Sequence, residues 1–313
     1  MSYVLITPMR NEAQYIEATI KGVAAQSVKP AKWVIVDDGS DDRGAEIVSR
    51  YIGQLDFLAL VRLQREGGRT FGSKALAFNA GVRSLGRMPY SFIGNLDADI
   101  VLEPDYFRNI LGMFAADPKL GLSGGMVFTK GENGYYSDDG TLDSVGGAVQ
   151  LFRRECFEAV GGYLPLPYGG IDAAAEIMAR MHGWSVRKSP SDRVWEQRRT
   201  GSAGGGPLTA AYRLGVRFHT LGYGNLFFLL RCAYRVGDKP FLLGSLGMLL
   251  GFVTARIRRV PVALPPEVVA YLRSEQRGKL KGGVSPLFRH GTSGKADRPT
   301  VALSSDAERQ PGH

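Results

Sequence analysis

Cysteine is almost missing from this chain of 313 residues: Cys156 and Cys232 stand far apart with no motif spacing. Two such residues exclude a disulfide scaffold and a cysteine-rich zinc site, and they suit a reducing compartment. Long hydrophobic runs are missing too. The uncharged stretch Phe241–Ala255 holds fifteen residues, about 22 Å as a helix. A bilayer core is roughly 30 Å thick, so this stretch is too short to span it. The opening Met1-Ser-Tyr-Val-Leu-Ile-Thr7 has neither the basic region nor the apolar region of a signal peptide and reads as a first strand. The expected location is cytoplasmic, peripheral on the inner face of the cell membrane. Internal repeats are absent. What remains is an ordinary globular composition, 44% hydrophobic and 22% charged, with 41 glycines that point to many tight turns.

Charge is abundant in one place. The net charge is +9, yet between Pro207 and His290 thirteen Lys or Arg face three acids, so the rest of the chain is close to neutral. A basic third suits an anionic partner, either nucleic acid or a membrane surface. Here the cations (Arg213, Arg217, Arg231, Arg235, Arg256, Arg258, Arg259) flank two short apolar segments, Thr220–Leu230 and Phe241–Ala255. That pattern fits helices lying in a membrane interface. No helix-turn-helix pattern and no RNA-binding aromatic signature accompanies it, which argues against nucleic acid. A buried helical cap is the other reading. Gly244, Gly247 and Gly251 fall on one helix side and would allow close packing against another helix.

The first part of the chain alternates. Tyr3–Thr7, Trp33–Asp37, Phe57–Leu63 and Ser91–Leu96 are short apolar runs bounded by turn residues, as buried parallel strands are. Glu12–Gln26, Arg43–Tyr51 and Lys74–Leu85 read as helices between them, and Asp105 reads as the N-cap of a fourth that runs to Ala116. This alternation predicts an α/β fold with a mostly parallel central sheet and a binding site at the carboxyl ends of its strands. Ile171–His182 is helical in period and Gly183 ends it. The domain expected over residues 1–206 is followed by a basic, apolar helical extension over 207–284 and by a disordered polar tail over 285–313.

Three strands end in acids or polar groups. The first runs into Thr7-Pro8-Met9-Arg10-Asn11-Glu12, the second into Asp37-Asp38-Gly39-Ser40, and Phe92–Leu96 into Asp97-Ala98-Asp99. In an extended segment residues two apart point the same way, so Asp97 and Asp99 can face one ligand. Hard carboxylate oxygens there suit Mg²⁺ or Mn²⁺ holding a diphosphate. A solvated loop and a glycine turn are the plain alternatives.

These motifs, with Gly72-Ser-Lys74-Ala-Leu-Ala-Phe-Asn79-Ala-Gly81 and the segment Gly146–Tyr163 (Phe152-Arg-Arg, Val160-Gly-Gly-Tyr163), occur in order over about residues 1–201. In this the chain resembles the inverting family 2 glycosyltransferases of the GT-A fold. The resemblance implies a nucleotide-diphosphate sugar donor, most simply a UDP-sugar, with Asp37 and Asp38 on ribose and uracil and Thr7 and Pro8 beside them. It places Lys74 near the nucleotide or its phosphates, and Glu12 and Arg198 among the donor contacts. Asp97 would bracket ribose and metal, and Asp99 would be the more direct metal ligand.

Inverting transfer needs one further carboxylate to take the proton of the acceptor hydroxyl. The family places it eleven residues before a Gly-aromatic pair; counting back from Gly183-Trp184 gives Asp172, with Ile171 where the family carries Glu. Asp172 could also cap the helix. Glu176, at i+4 on the same face, is the reserve candidate. A second departure is Glu196, which stands where many relatives carry a histidine that often completes the metal site; either the carboxylate takes over as ligand, or the third protein ligand is absent and water replaces it. Gln197-Arg-Arg-Thr200 is not the Gln-x-x-Arg-Trp of processive synthases, which favours one transfer per encounter. The expected acceptor is a saccharide or lipid-linked saccharide in cell-surface polysaccharide synthesis. The competing class is a catalytically degenerate GT-A domain acting as a membrane-associated scaffold.

Overall fold

The computed structural model describes residues 1–64, 71–131, 134–137, 141–198, 206–237, 242–282 and 295–296. The first half alternates as the periodicity predicts: β1 (Tyr3–Met9), α1 (Ile16–Ala24), β2 (Lys32–Asp37), α2 (Gly44–Ile52), β3 (Leu58–Arg62), α3 (Phe71–Ser84) and β4 (Phe92–Leu96). Strands β3-β2-β1-β4 are neighbours and parallel. Then come β5 (Ile100–Leu102), α4 (Tyr106–Ala116), β6 (Leu120–Gly131), β7 (Gly134–Tyr136), β8 (Val149–Arg153), α5 (Arg154–Val160), α6 (Ile171–Met181) and β9 (Ser185–Glu196). Here β8 continues the sheet antiparallel to β4, β6 pairs antiparallel with β8 and β7, and β9 runs parallel to β6 and antiparallel to β5.

The period of two along β1 sorts the core into two layers. Tyr3 and Leu5 point to one face and pack with Ile20, Trp33 and Phe107, under α1, α2 and α4. Val4 and Ile6 point to the other and pack with Phe78, Phe152 and Ile177, under α3, α5 and α6. Gly81 lets α3 close on the sheet, because a Cβ there would lie 2.5 Å from Ile6 Cγ2 and 2.9 Å from Val36 Cγ2. Pro8 sits in β1 beyond Ile6, the last residue paired to β4, so its missing N–H interrupts no ladder on that side.

Some sequence expectations shift. Helix α1 starts at Ile16 instead of Glu12, after Asn11 turns the chain at φ +56°. Asp105 occupies the N-cap position of α4 but makes no capping hydrogen bond; its carboxylate pairs with Arg108 at 2.7 Å.

The remaining helices are α7 (Pro207–Thr220), α8 (Asn225–Tyr234), α9 (Leu243–Ile257) and α10 (Pro266–Lys281). The apolar segment Thr220–Leu230 is therefore not one helix: it is the end of α7, a turn at Gly222 and the start of α8. Gly247 and Gly251 of α9 face α7 as the glycine spacing suggests. A Cβ on Gly251 would run into the Tyr212 carbonyl, and Gly215 of α7 meets the Met248 carbonyl in the same way. Phe218, Phe228, Met248 and Phe252 fill the small core of this unit. Val268 and Leu272 of α10 instead join the core beneath α6. Among the described residues no helix is long and apolar enough to cross a membrane. Cys156 and Cys232 are buried free thiols. Of the expected tail, Lys295–Ala296 form β10, paired to β7; the rest of it, like the expected boundary near residue 206, borders or lies outside the described residues.

Candidate active site

The loops after β1 and β2 are stitched together. The Asn11 N–H donates to Ser40 Oγ at 3.0 Å, the Asn11 side chain accepts from the Asp41 N–H at 2.8 Å, and Asp42 accepts from the Ala13 N–H at 2.8 Å. Asp37, 1% exposed, accepts the Ser40 N–H at 2.9 Å and faces Arg62 Nε at 3.2 Å. Asp38 is buried beside it, and Gly39 follows at φ +76°, the left-handed turn that an Asp-Gly pair supplies. Thr7 is fully buried and its hydroxyl accepts the Trp33 indole N–H at 2.9 Å, so it braces the β1–β2 floor.

Asp97 and Asp99 do not share an extended strand, as the alternation argument assumed. They lie in the turn that carries the chain from β4 to β5. Asp97 holds Lys74 Nζ at 2.6 Å through Oδ1 and at 2.8 Å through Oδ2, and accepts from Asn95 Nδ2 at 3.1 Å. Asp99, 6% exposed, takes Arg198 Nε at 3.1 Å, and the same guanidinium reaches Glu12. Glu196 comes alongside because Ile100 pairs with it in the β5–β9 ladder; its Oε2 accepts from Thr129 Oγ1 at 2.6 Å. Burial raises the Asp97 carboxyl above its ordinary range; Lys74 opposes this and Asp99 adds to it. Burial raises Glu196 as well; Thr129 opposes, and Asp99 and Asp97 add. Negative charge is thus crowded at the turn.

Counted as ionised, Glu12, Asp97, Asp99 and Glu196 bring four negative charges, and Lys74 and Arg198 return two. The shortfall is that of one divalent cation, and hard carboxylate oxygens are the donors Mg²⁺ and Mn²⁺ take. The donor set fits such an ion by charge and chemistry. Among the described residues no three acidic, His or Cys side chains converge as a ready-made metal cluster; Glu12, Asp97 and Asp99 are turned to their basic partners and Glu196 to the Thr129 hydroxyl.

Asp172 is the second residue of α6, whose cap is Gly170. It stands over Gly147, where a Cβ would lie 2.9 Å from Asp172 Oδ2. The Gly147 carbonyl in turn accepts from Lys74 Nζ at 3.1 Å and Asn95 Nδ2 at 2.9 Å. One loop residue therefore separates Asp172 from the Lys74–Asp97 pair. Glu176, 5% exposed, is turned away: Oε1 accepts the Val145 N–H at 2.7 Å and Ser144 Oγ at 3.3 Å, and Oε2 faces Arg180 at 3.7 Å. Burial is the largest cause pushing its carboxyl up to about 8, against the pull of Arg180.

The sequence reading missed Asn95, Gly147 and Thr129. Asn95 carried a signal, being a polar residue inside an apolar strand two places before Asp97; Gly147 lay unmarked within the segment Gly146–Tyr163, and Thr129 gave none.

Comparisons with known proteins agree with this architecture. The chain is 26% identical over 204 residues to the poly-beta-1,6-N-acetyl-D-glucosamine synthase of Staphylococcus aureus (strain COL), covering 59% of this chain and 47% of that protein. The match to the enzyme of Staphylococcus epidermidis is 24%. The chain thus spans about half the length of the curated relatives it matches. Among solved structures, mannosyltransferase PcManGT from Pyrobaculum calidifontis, in complex with GDP-Man and Mn²⁺, superposes with a TM-score of 0.54 at 19% identity, over 89% of this chain and 80% of that one. Staphylococcus aureus TarS 1–349 with UDP-GlcNAc gives 0.53 at 14% identity, over 90% and 92%. Both share the GT-A fold. The model of glycosyl transferase family 2 matches residues 4–160, which takes in half of the chain and the β1, β2 and β4 ends where the carboxylates gather; the chain belongs to that family and is a glycosyltransferase.

Proposed function

We propose that the protein moves one sugar, with inversion, from a UDP-sugar to a hydroxyl of a saccharide or lipid-linked saccharide acceptor, working at a membrane surface. The observation that carries this reading is the single residue, Gly147, between Asp172 and the Lys74–Asp97 pair. That proximity supports Asp172 as base beside a donor diphosphate held near Lys74.

In this reading Asp37 and Asp38, held in the stitched β1–β2 loops, bind the nucleoside. Asp172 accepts the proton of the acceptor hydroxyl as that oxygen attacks the anomeric carbon, and the bond to the diphosphate breaks on the opposite side. Lys74 lies where it can receive the charge that grows on the leaving phosphate. A Mn²⁺ or Mg²⁺ held by Asp97, Asp99 and Glu196 would supply further neutralisation of the diphosphate. Binding of UDP-GlcNAc by TarS and of GDP-Man with Mn²⁺ by PcManGT supports the donor class.

The membrane part of the proposal rests on α8 and α9. Leu243, Leu246, Leu250 and Ile257 of α9 are 51%, 56%, 57% and 75% exposed, and Leu226 and Leu229 of α8 are 63% and 50% exposed. An exposed apolar stripe at helical spacing, flanked by the exposed Arg256, Arg258 and Arg259, has the chemistry of an anionic membrane interface.

The test is UDP release by the full chain with a panel of UDP-sugars and Mn²⁺, with and without anionic vesicles. Turnover of at least one donor is expected. Donor binding and turnover absent across the panel would leave the scaffold reading in its place.

A further inference from the structure

A cavity of about 290 Å³ lies between α6 and the C-terminal helices. Asp172 and Glu176 line it, and none of the donor carboxylates does. Its volume is at the lower end of ligand cavities, which run from about 300 to 1,000 Å³, and suits a small charged sugar rather than a polymer.

The polar groups of its walls are unevenly matched. Arg180 meets Glu275 at 2.8 Å and Lys279 meets Asp143 at 3.5 Å. Arg217 and Arg231 have no carboxylate partner among the described residues. Arg217 lies against the two left-handed glycines that start α6: a Cβ on Gly169 would sit 3.0 Å from its Nη2, and its Nε donates to the Tyr168 carbonyl at 3.3 Å. Arg231 stacks over Phe218 at 5.1 Å, and its Nε is buried with no acceptor among the described residues. Gln276, 4% exposed, uses Oε1 on the Gly224 N–H at 2.9 Å, while its Nε2 is buried with no acceptor among the described residues. Buried donors without acceptors are costly, and two of them, Arg231 Nε and Gln276 Nε2, line this space beside the half-buried Arg217. The N-terminus of α6 lines it too and adds partial positive charge.

We propose that this cavity binds a phosphate group carried by the acceptor, with Arg217 and Arg231 as its cations and Gln276 as a neutral donor, so that the acceptor hydroxyl is held toward Asp172. This rests on the reading of Asp172 as base. Helix α8 carries Arg231 to the cavity while Leu226 and Leu229 are exposed to solvent. A phosphate borne by a lipid could therefore enter with its chain along the apolar stripe, and a soluble sugar phosphate offers the same headgroup chemistry.

Two measurements test the proposal. In the first, transfer is followed to one sugar presented as a neutral alkyl glycoside, as a water-soluble glycosyl phosphate ester, and as a lipid-diphosphate saccharide in vesicles. The phosphate-bearing forms should show a KM lower than that of the neutral one by about tenfold or more, the scale of one charge-assisted hydrogen bond. Arg217→Ala, Arg231→Ala and Gln276→Leu should each shrink that ratio, and Arg231→Lys should restore part of it. Preference for the lipid form over the soluble ester assigns the source to the membrane, and the reverse assigns it to a soluble phosphate. Equal KM values for charged and neutral acceptors, or a ratio unmoved in all three variants, would overturn the proposal. In the second, inorganic phosphate is titrated into the full chain by calorimetry. Binding should weaken in the Arg217→Ala and Arg231→Ala variants and persist in Asp172→Asn. Phosphate binding of that pattern without transfer would remove Asp172 as base and keep the cavity; transfer without phosphate preference would do the opposite.

Discussion

Replacing Glu176 with glutamine separates a buried acid from a catalytic one. The Glu176 carboxyl is 6% exposed as a side chain and is pushed up to about 8 from an ordinary 4.5, chiefly by burial. An acid with a raised folded pKa holds its proton more tightly in the folded chain. Its contribution to stability is therefore fully present below about pH 4.5 and is lost as pH rises toward 8. The slope inside that window approaches 1.36 kcal/mol per pH unit, which gives a cost of about 3 kcal/mol by pH 7. Glutamine has the same shape, can still accept the Val145 N–H, and does not titrate. The stability difference between Glu176→Gln and the parent should thus move in favour of glutamine by about 3 kcal/mol from pH 4.5 to pH 7. Urea unfolding of both proteins at half-unit steps measures it, because titrating groups that do not interact with residue 176 cancel in the difference. A flat difference, or one that moves in favour of glutamate, would refute the burial account. The same substitution bears on the chemistry. A protonated carboxyl whose Oε1 is already occupied is a poor proton acceptor at pH 7, so Glu176→Gln should keep kcat within about tenfold. Asp172→Asn should lower it by roughly two to four orders of magnitude. The reverse pattern would make Glu176 the base.

Gly251→Leu should force α9 away from the Tyr212 carbonyl of α7 and cost more than about 3 kcal/mol, read as a fall in melting temperature and loss of a cooperative transition. Glu at both Leu246 and Leu250 should remove the salt-resistant part of binding to anionic vesicles, because charge attraction is screened by salt and apolar burial is not. Flotation in high salt checks this; unchanged recovery would place the stripe outside the membrane contact.

The strands were legible because each is a short apolar run closed by turn residues, and β1 to β4 follow that rule. As candidates, Asp37, Asp38, Asp97 and Asp172 were legible because motif order singled them out. The geometry around them was not. Asp97 and Asp99 looked like one face of an extended segment, yet Ala98, 4% exposed with its carbonyl bound to the Thr19 hydroxyl, sits in a turn between two strands that pair with different partners. Helix α10 left no periodic signal strong enough to separate it from the basic extension, and its packing under α6 through Val268 and Leu272 is long-range in sequence. The cavity beside Asp172 needed Arg217, Arg231 and Gln276, drawn from three helices, to be brought together. No local pattern encodes such a meeting.

Glu196 and Arg198 are best understood together. Where the family resemblance expects a neutral imidazole, Glu196 adds one negative charge next to Asp99 and Asp97. Two residues on, Arg198 adds one positive charge that bridges Asp99 and Glu12. The pair keeps the net charge of the site as a histidine would, but puts a cation on the carboxylate that a metal needs. Arg198→Ala should therefore have opposite effects on two ligands. Mn²⁺ alone should bind more tightly, because a guanidinium 3.1 Å from Asp99 no longer competes. For a partly exposed pair that competition is worth on the order of 1 kcal/mol, about fivefold. UDP, offered with saturating Mn²⁺, should bind more weakly by a similar factor, because a diphosphate loses a cation. Calorimetry with each ligand reads both. Tighter binding of both would mean that Arg198 only blocks the site, and weaker binding of both would mean that it serves to hold the carboxylates in place rather than to compete for them.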